Sequence, residues 1–219
     1  LNPTFIFING INTLPTDQRG WTDRARNWIV AHTGFDADCF EWFGGPLTAQ
    51  LFAPLRVRQL LRVLTAYPLG TRLILVGHSF GCELICRVLQ KRRCPNIQDA
   101  WLIAGACDAD FDTNGLNRAM QFGQLGRVFC LQASRDGALA LAKQSALALR
   151  WSRWLNLLPG VHLDYGWLGL TGPVRVRYAP RVTVTQKPDH VGHSSYVNTI
   201  NLAATLSHIV NEYPAEETA

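Results

Sequence analysis

Short apolar runs alternate along this chain with amphipathic stretches of helical period, and the alternation predicts a succession of elements. Residues 5–8, Phe-Ile-Phe-Ile, are stopped by Asn9-Gly10 and read as a strand buried on both faces. A helix is predicted over 23–33, closed by Gly34, and a short strand over 39–43, stopped by Gly44-Gly45-Pro46. Val57, Leu60, Leu61 and Leu64 then recur at helical spacing, with Arg58 and Arg62 on the other face. Pro54 suits the first turn of that helix, and Pro68 and Gly70 its end. Further strands are predicted over 72–76, 100–104, 128–131 and 182–185, and further helices to about 90, around 116–122, over 138–155 and over 197–213. Strands alternating with helices point to a parallel sheet covered on both faces, an α/β protein of three layers. Residues 158–180, rich in Gly, Pro and aromatics, fit neither pattern.

Composition narrows the class. The chain has 219 residues, 47% apolar and 17% charged, which excludes global disorder and suits a single domain spanning 1–219. A chain of this size buries roughly 70–75% of its unfolded surface, so its core needs neither disulfides nor metal. No apolar run approaches the ~18–20 residues that cross a bilayer. The first residues lack the basic start and apolar core of a signal peptide, so a cytoplasmic location is expected. The chain starts at Leu1 rather than Met, which leaves room for an upstream segment.

The net charge of +5 is not concentrated. Lys91-Arg92-Arg93 is the one cationic run, and it follows a predicted helix, where positive charge complements the dipole. A nucleic-acid footprint would need a longer basic stripe with motif support, so no nucleic-acid partner is expected. The six cysteines, Cys39, Cys82, Cys86, Cys94, Cys107 and Cys130, form no CxxC pair and no zinc spacing. They read as reduced, small buried hydrophobes.

Chemistry enters with Gly77-His78-Ser79-Phe80-Gly81, a G-x-S-x-G sequence. The pentapeptide alone is weak, since chance places one in about one chain in ten of this length. Its context is stronger: Leu73, Ile74, Leu75 and Val76 lead in, and Cys82, Ile85, Cys86 and Leu89 form a helix stripe after it. A serine on a sharp strand-to-helix turn is presented beside a helix N-terminus, and small neighbours relieve the crowding there. Otherwise Ser79 would be an ordinary turn residue capping a helix.

With these residues the chain resembles the α/β-hydrolase superfamily, over most of its length, and specifically its lipase- and esterase-like serine hydrolases. Its second half is similar to small bacterial hydrolases of poorly defined function, through Ser134-Arg135-Asp136-Gly137-Ala138-Leu139, Leu168-Gly169-x-x-Gly172-Pro173 and Gly192-His193-Ser194. The resemblance implies a mostly parallel sheet of about six strands, lacking the fold's first two strands and ordered 4-3-5-6-7-8 in the family's naming. It also implies a nucleophile, acid and base in the chain order Ser, Asp, His. Asp136 follows the strand predicted over 128–131, and His193 lies between the last strand and the last helix, so Ser79, Asp136 and His193 are the expected triad. His190 is a rival base in the same loop. Asp108 and Asp110 are rival acids after the strand predicted over 100–104, with helix capping or solvation as their plainer role. They lack a third ligand at metal-binding spacing, and neither metal nor cofactor is implied.

Two backbone N–H groups are expected to stabilise the oxyanion: that of Phe80, after the nucleophile, and that of Ile11, in the loop after the first strand. Asn9 stands there where the resembling His-Gly-x loops carry His. His78 reads as the variable residue of the turn, and His32, His162 and His208 as surface or satisfied core histidines. Residues 151–180, with Trp151, Trp154, Leu155, Leu157, Leu158, Trp167 and Leu168, are either a small cap over the site or a helix and loop packed on the sheet. The expected activity is hydrolysis of a small-molecule or lipid-like carboxylic ester or thioester, with peripheral membrane contact left open. An acyltransferase and a catalytically silent binding protein are the alternatives.

Overall fold

The structure, a computed structural model, describes residues 2–11, 20–133, 135–140, 166–186 and 192–214. Among them are the strands β1 (Pro3–Ile8), β2 (Asp36–Phe40), β3 (Arg72–His78), β4 (Ile97–Ile103), β5 (Leu125–Gln132) and β6 (Val182–Gln186). All pair in parallel, in the order β2-β1-β3-β4-β5-β6, which is the order the resemblance implied. The helices are α1 (Trp21–Thr33), α2 (Pro46–Thr65), α3 (Phe80–Leu89), α4 (Leu116–Gln121), the single turn α5 (Leu168–Thr171) and α6 (Leu202–Val210).

The strand period of two divides the core. Ile6, Ile8, Leu73, Leu75, Leu102 and Val128 face α2, α3 and α4, while Phe5, Phe7, Ile74, Val76, Trp101 and Phe129 face α1 and α6. Parallel strands leave every carboxyl end on one edge, and that edge receives the loops after β1, β3, β5 and β6.

The strands predicted over 100–104 and 128–131 each begin three residues earlier, and three other boundaries move for identifiable reasons. The second strand lies at Asp36–Phe40 rather than 39–43, because β1 ends at Ile8, which pairs with Phe40. The ladder between the two strands ends at that pair, and Trp42 is instead bonded to Asn9 through side chains. The second helix begins at Pro46, and Pro54 sits inside it rather than in its first turn. The earlier start is set by Gly45, whose N–H donates to Thr48 Oγ1 at 2.9 Å, with Pro46 at the first helical position. The last helix is regular only over Leu202–Val210; residues 192–201 form turns. Of the helix predicted over 138–155, residues 141–155 lie outside the described residues, as does His162, while residues 137–140 are helical.

The cysteines are unbridged, and all but Cys39 are buried. Burial pushes the Cys94 thiol up to about 12, which suits filler rather than a nucleophile. His32 stacks on Trp28 at 4.5 Å, and His208 lies edge-on to Trp101 at 5.7 Å. Among the described residues no helix is long and apolar enough to cross a membrane.

One buried charge anchors the amino-terminal edge of the sheet. Asp99 is fully buried and takes Arg127 through two bonds, Nε to Oδ1 at 3.0 Å and Nη2 to Oδ2 at 2.9 Å. Arg127 also reaches Glu212 at 3.2 Å, and Trp101 Nε1 donates to the Tyr213 hydroxyl at 2.9 Å, so the segment after α6 is tied to the sheet. Truncating Arg127 would leave a buried carboxylate without its cation. Because Arg127 is itself 40% exposed, the expected loss in Arg127→Ala is about 2–4 kcal/mol by urea denaturation. A loss under about 0.5 kcal/mol, the level of a surface pair, would contradict this account.

Candidate active site

The turn between β3 and α3 is set by backbone geometry. Ser79 has φ 55° and ψ −122°, a region that L-residues avoid, and such a conformation costs of order 1–3 kcal/mol. Three backbone bonds hold it: Ser79 N–H donates to Ile103 O at 3.0 Å, and Ser79 O accepts from Cys82 at 3.1 Å and Ala106 at 3.0 Å. Space is the other condition. A Cβ at Gly81 would stand 2.4 Å from Ile8 O, and one at Gly10 2.9 Å from Ser79 Cβ. The glycines therefore let the loop after β1 lie directly against the nucleophile candidate.

Asp136 follows β5 and is almost fully buried. Its Oδ1 accepts the Leu139 N–H at 2.8 Å, capping the helical turn at 137–140. Its Oδ2 accepts from His193 Nδ1 at 2.6 Å, and His193 Nε2 lies 2.8 Å from Ser79 Oγ. A carboxylate only accepts, so Nδ1 carries the imidazole proton and Nε2 is left to accept from the serine hydroxyl. Ser79, His193 and Asp136, 114 residues apart between the first two, thus form one continuous path of hydrogen bonds. The His193 side chain, in the middle of that path, is 21% exposed.

The rival acids go elsewhere. Asp108 Oδ1 accepts the Asp110 N–H at 2.9 Å, and Asp110 pairs with Arg175 at 3.1 Å, so both acids organise the loop after β4. His190 lies outside the described residues. Among the described residues no group of His, Cys, Asp and Glu could hold a metal ion. Of residues 151–180, read as either a small cap or a segment packed on the sheet, 151–165 lie outside the described residues. The rest packs down: Leu168 N–H donates to Cys107 O at 3.1 Å, and Ala133 N–H to Gly169 O at 2.9 Å.

Two contacts escaped the sequence reading. Asn9 is buried and clamps Trp42 through three bonds, Nδ2 to Trp42 O at 3.0 Å, Trp42 N to Oδ1 at 3.2 Å and Trp42 Nε1 to Asn9 O at 2.9 Å. Trp42 in turn packs on Phe80, ring centroids 5.5 Å apart, so the loops after β1 and β2 brace the start of α3. His78, read as the variable residue of the turn, makes contacts that the sequence does not show. It is buried, lies edge-on to Trp21 at 6.0 Å, and its Nε2 donates to the His193 backbone carbonyl at 2.9 Å. A His between Gly77 and Ser79 is the only signal, and a one-dimensional reading has no way to aim it.

Burial, reinforced by the nearby His193 and opposed by Asp136, pulls the His78 pKa down to about 4. An unfolded His titrates near 6.5, so between these values the unfolded chain binds more protons and stability rises with pH. Stability is accordingly lost as pH falls from about 6.5 to about 4, by on the order of 3 kcal/mol from this group. Urea denaturation across that window should give a shallower slope for His78→Gln than for the native chain; equal slopes would contradict the assignment.

Comparison with solved structures places the fold. The chain is similar to a protein of Agrobacterium vitis assigned to the hydrolases, with a TM-score of 0.56 at 17% identity, over 96% of this chain and 87% of that one. It is similar to the esterase Pf2001 of Pyrococcus furiosus, with a TM-score of 0.54 at 12% identity, over 96% and 83%. It is also similar to mouse alpha/beta hydrolase domain-containing protein 10, with a TM-score of 0.53 at 16% identity, over 97% and 91%. No protein-family model and no curated protein matches the sequence. The fold is that of the α/β hydrolases.

Proposed function

We propose that the chain is a serine hydrolase that cleaves a carboxylic ester or thioester through an acyl-enzyme intermediate. The observation that carries the reading is the unbroken path Ser79 Oγ, His193 Nε2, His193 Nδ1, Asp136 Oδ2, with links of 2.8 and 2.6 Å. Such a path gives a serine hydroxyl what it lacks at neutral pH, a base within reach and a carboxylate that orients that base.

The steps follow from these positions. Ser79 Oγ bonds to the substrate's carbonyl carbon while its proton passes to His193 Nε2. The carbonyl oxygen gains negative charge, and the backbone N–H groups of Phe80 and Ile11 are the proposed donors to it. Phe80 opens α3 directly after the nucleophile, and Ile11 follows Gly10, which abuts Ser79. The bond to the leaving group then breaks, and that group takes the proton from Nε2. Water next adds to the acyl carbon, gives its proton to Nε2, and the Ser79 Oγ–carbon bond breaks as that proton returns to Oγ. Asp136 faces the imidazolium formed in each half-reaction, held by the Leu139 N–H. The esterase among the structural neighbours supports an ester substrate by analogy of fold.

A fluorophosphonate probe and a short-chain p-nitrophenyl ester test the reading together. The native protein should be labelled and should turn the ester over. Ser79→Ala should abolish labelling, and Ser79→Ala and His193→Ala should each cut kcat/KM by at least about 10³-fold. His190→Ala should stay within about threefold of the native rate. Labelling that survives in Ser79→Ala, or a large loss in His190→Ala with none in His193→Ala, would sink the assignment. Product analysis with an added alcohol separates hydrolysis from acyl transfer.

A further inference from the structure

Nucleophile and base belong to segments far apart in sequence, the turn after β3 and the run of turns at 192–201, and something must hold them in register. In the free protein one link is the Ser79 Oγ–His193 Nε2 bond itself. The proposed chemistry breaks that link in every cycle: once Oγ carries an acyl group it has no proton to donate. The base loop has anchors further along, where the Tyr196 hydroxyl donates to Gln132 O at 2.5 Å and Arg24 reaches Val197 O at 3.4 Å. Those act three and four residues beyond His193. Its ring retains Asp136, and its own peptide is gripped by one side chain among the described residues, that of His78.

We infer that His78 is a positioning residue, whose Nε2–H holds the His193 backbone against the nucleophile turn, most consequentially in the acyl-enzyme. The inference rests on the serine-hydrolase reading and deepens it.

The placement of His78 is suited to this task. It immediately precedes the nucleophile at the end of β3, so the tether springs from a buried central strand of the sheet. Its ring is confined between Trp21, edge-on at 6.0 Å, and the His193 ring at 5.0 Å. A carbonyl only accepts, so the bond needs the Nε2–H form. Burial keeps the ring neutral at working pH, so the tether places no second positive charge beside the imidazolium of His193.

A half-reaction asymmetry follows. Acylation starts with the serine hydroxyl bonded to Nε2, so the base is placed even without His78. Deacylation starts without that bond: Nε2 must take a proton from water as its oxygen bonds to the acyl carbon, then return it to Oγ as the Oγ–carbon bond breaks. Loss of the tether should therefore slow the second step more than the first.

The test uses the full chain with His78→Leu, which removes the donor, and His78→Gln, whose amide N–H can replace it. Pre-steady-state turnover of a short-chain p-nitrophenyl ester gives acylation from the burst of p-nitrophenolate and deacylation from the steady rate. The His78→Leu variant is expected to accumulate acyl-enzyme, with deacylation down about 10–100-fold and acylation by less than about fivefold. The His78→Gln variant is expected to restore deacylation to within about fivefold of native. Equal slowing of both steps, no slowing, or a Gln variant as impaired as the Leu variant would overturn the inference. Amide exchange over residues 192–196 provides a readout independent of turnover: it should quicken about tenfold in His78→Leu and not in His78→Gln. A native protein without probe labelling or turnover whose exchange still responds this way would overturn the hydrolase reading and uphold the tether. Unchanged exchange in a folded His78→Leu protein would overturn the tether itself.

Discussion

The left-handed backbone at Ser79 is the constraint around which the carboxyl edge of this sheet is arranged. With φ 55° and ψ −122°, the residue is held by bonds from the neighbouring strand and from the loop after β4, not by its own preference. Turning so sharply brings the start of α3 against the end of β1, an approach open only because Gly10 and Gly81 carry no side chain. The same turn points the Ser79 hydroxyl at the loop after β6, where His193 waits. Relaxing the turn would move the hydroxyl and withdraw the helix that packs β1, β3 and β4 on one face.

The buried polar groups at the two edges of the sheet do different work. At the amino-terminal edge, Asp99 meets Arg127 and Trp101 meets Tyr213, contacts that tie the chain's last described segment to the strands. At the carboxyl edge, Asn9, His78 and Asp136 each hold a loop rather than a strand: Asn9 grips Trp42, His78 grips the His193 peptide, and Asp136 caps a helical turn while receiving the His193 ring. A polar group without a partner would be costly in either place. Burial at the carboxyl edge is thus used to hold side chains at fixed positions around one hydroxyl.

Much of this was legible in the residues. The buried strands announced themselves as unbroken apolar runs, and Gly77-His78-Ser79-Phe80-Gly81 between a strand and a helix stripe located the turn. Asp136 and His193 were placed by the order of chemistry along the resembling fold, and the structure brings both to Ser79. The edge strand was misplaced because its sequence, Asp-Ala-Asp-Cys-Phe, carries acidic residues on the solvent face, while the more apolar Trp42 belongs to a side-chain contact. The second helix was started late because Pro54 resembled a first-turn proline, and packing overrode that local preference.

The sequence by itself determined what local physics can encode: the period of each element, the alternation that splits the core, and the glycines that permit a strained serine. Those depend on neighbours within a few positions along the chain. Which side chains meet across the carboxyl edge was decided only by tertiary structure. The direction in which a His or Asn points depends on how the sheet brings together segments far apart in the chain, as with Asn9 and Trp42 or His78 and His193. The residue type supplies a donor, and the sheet decides what it holds.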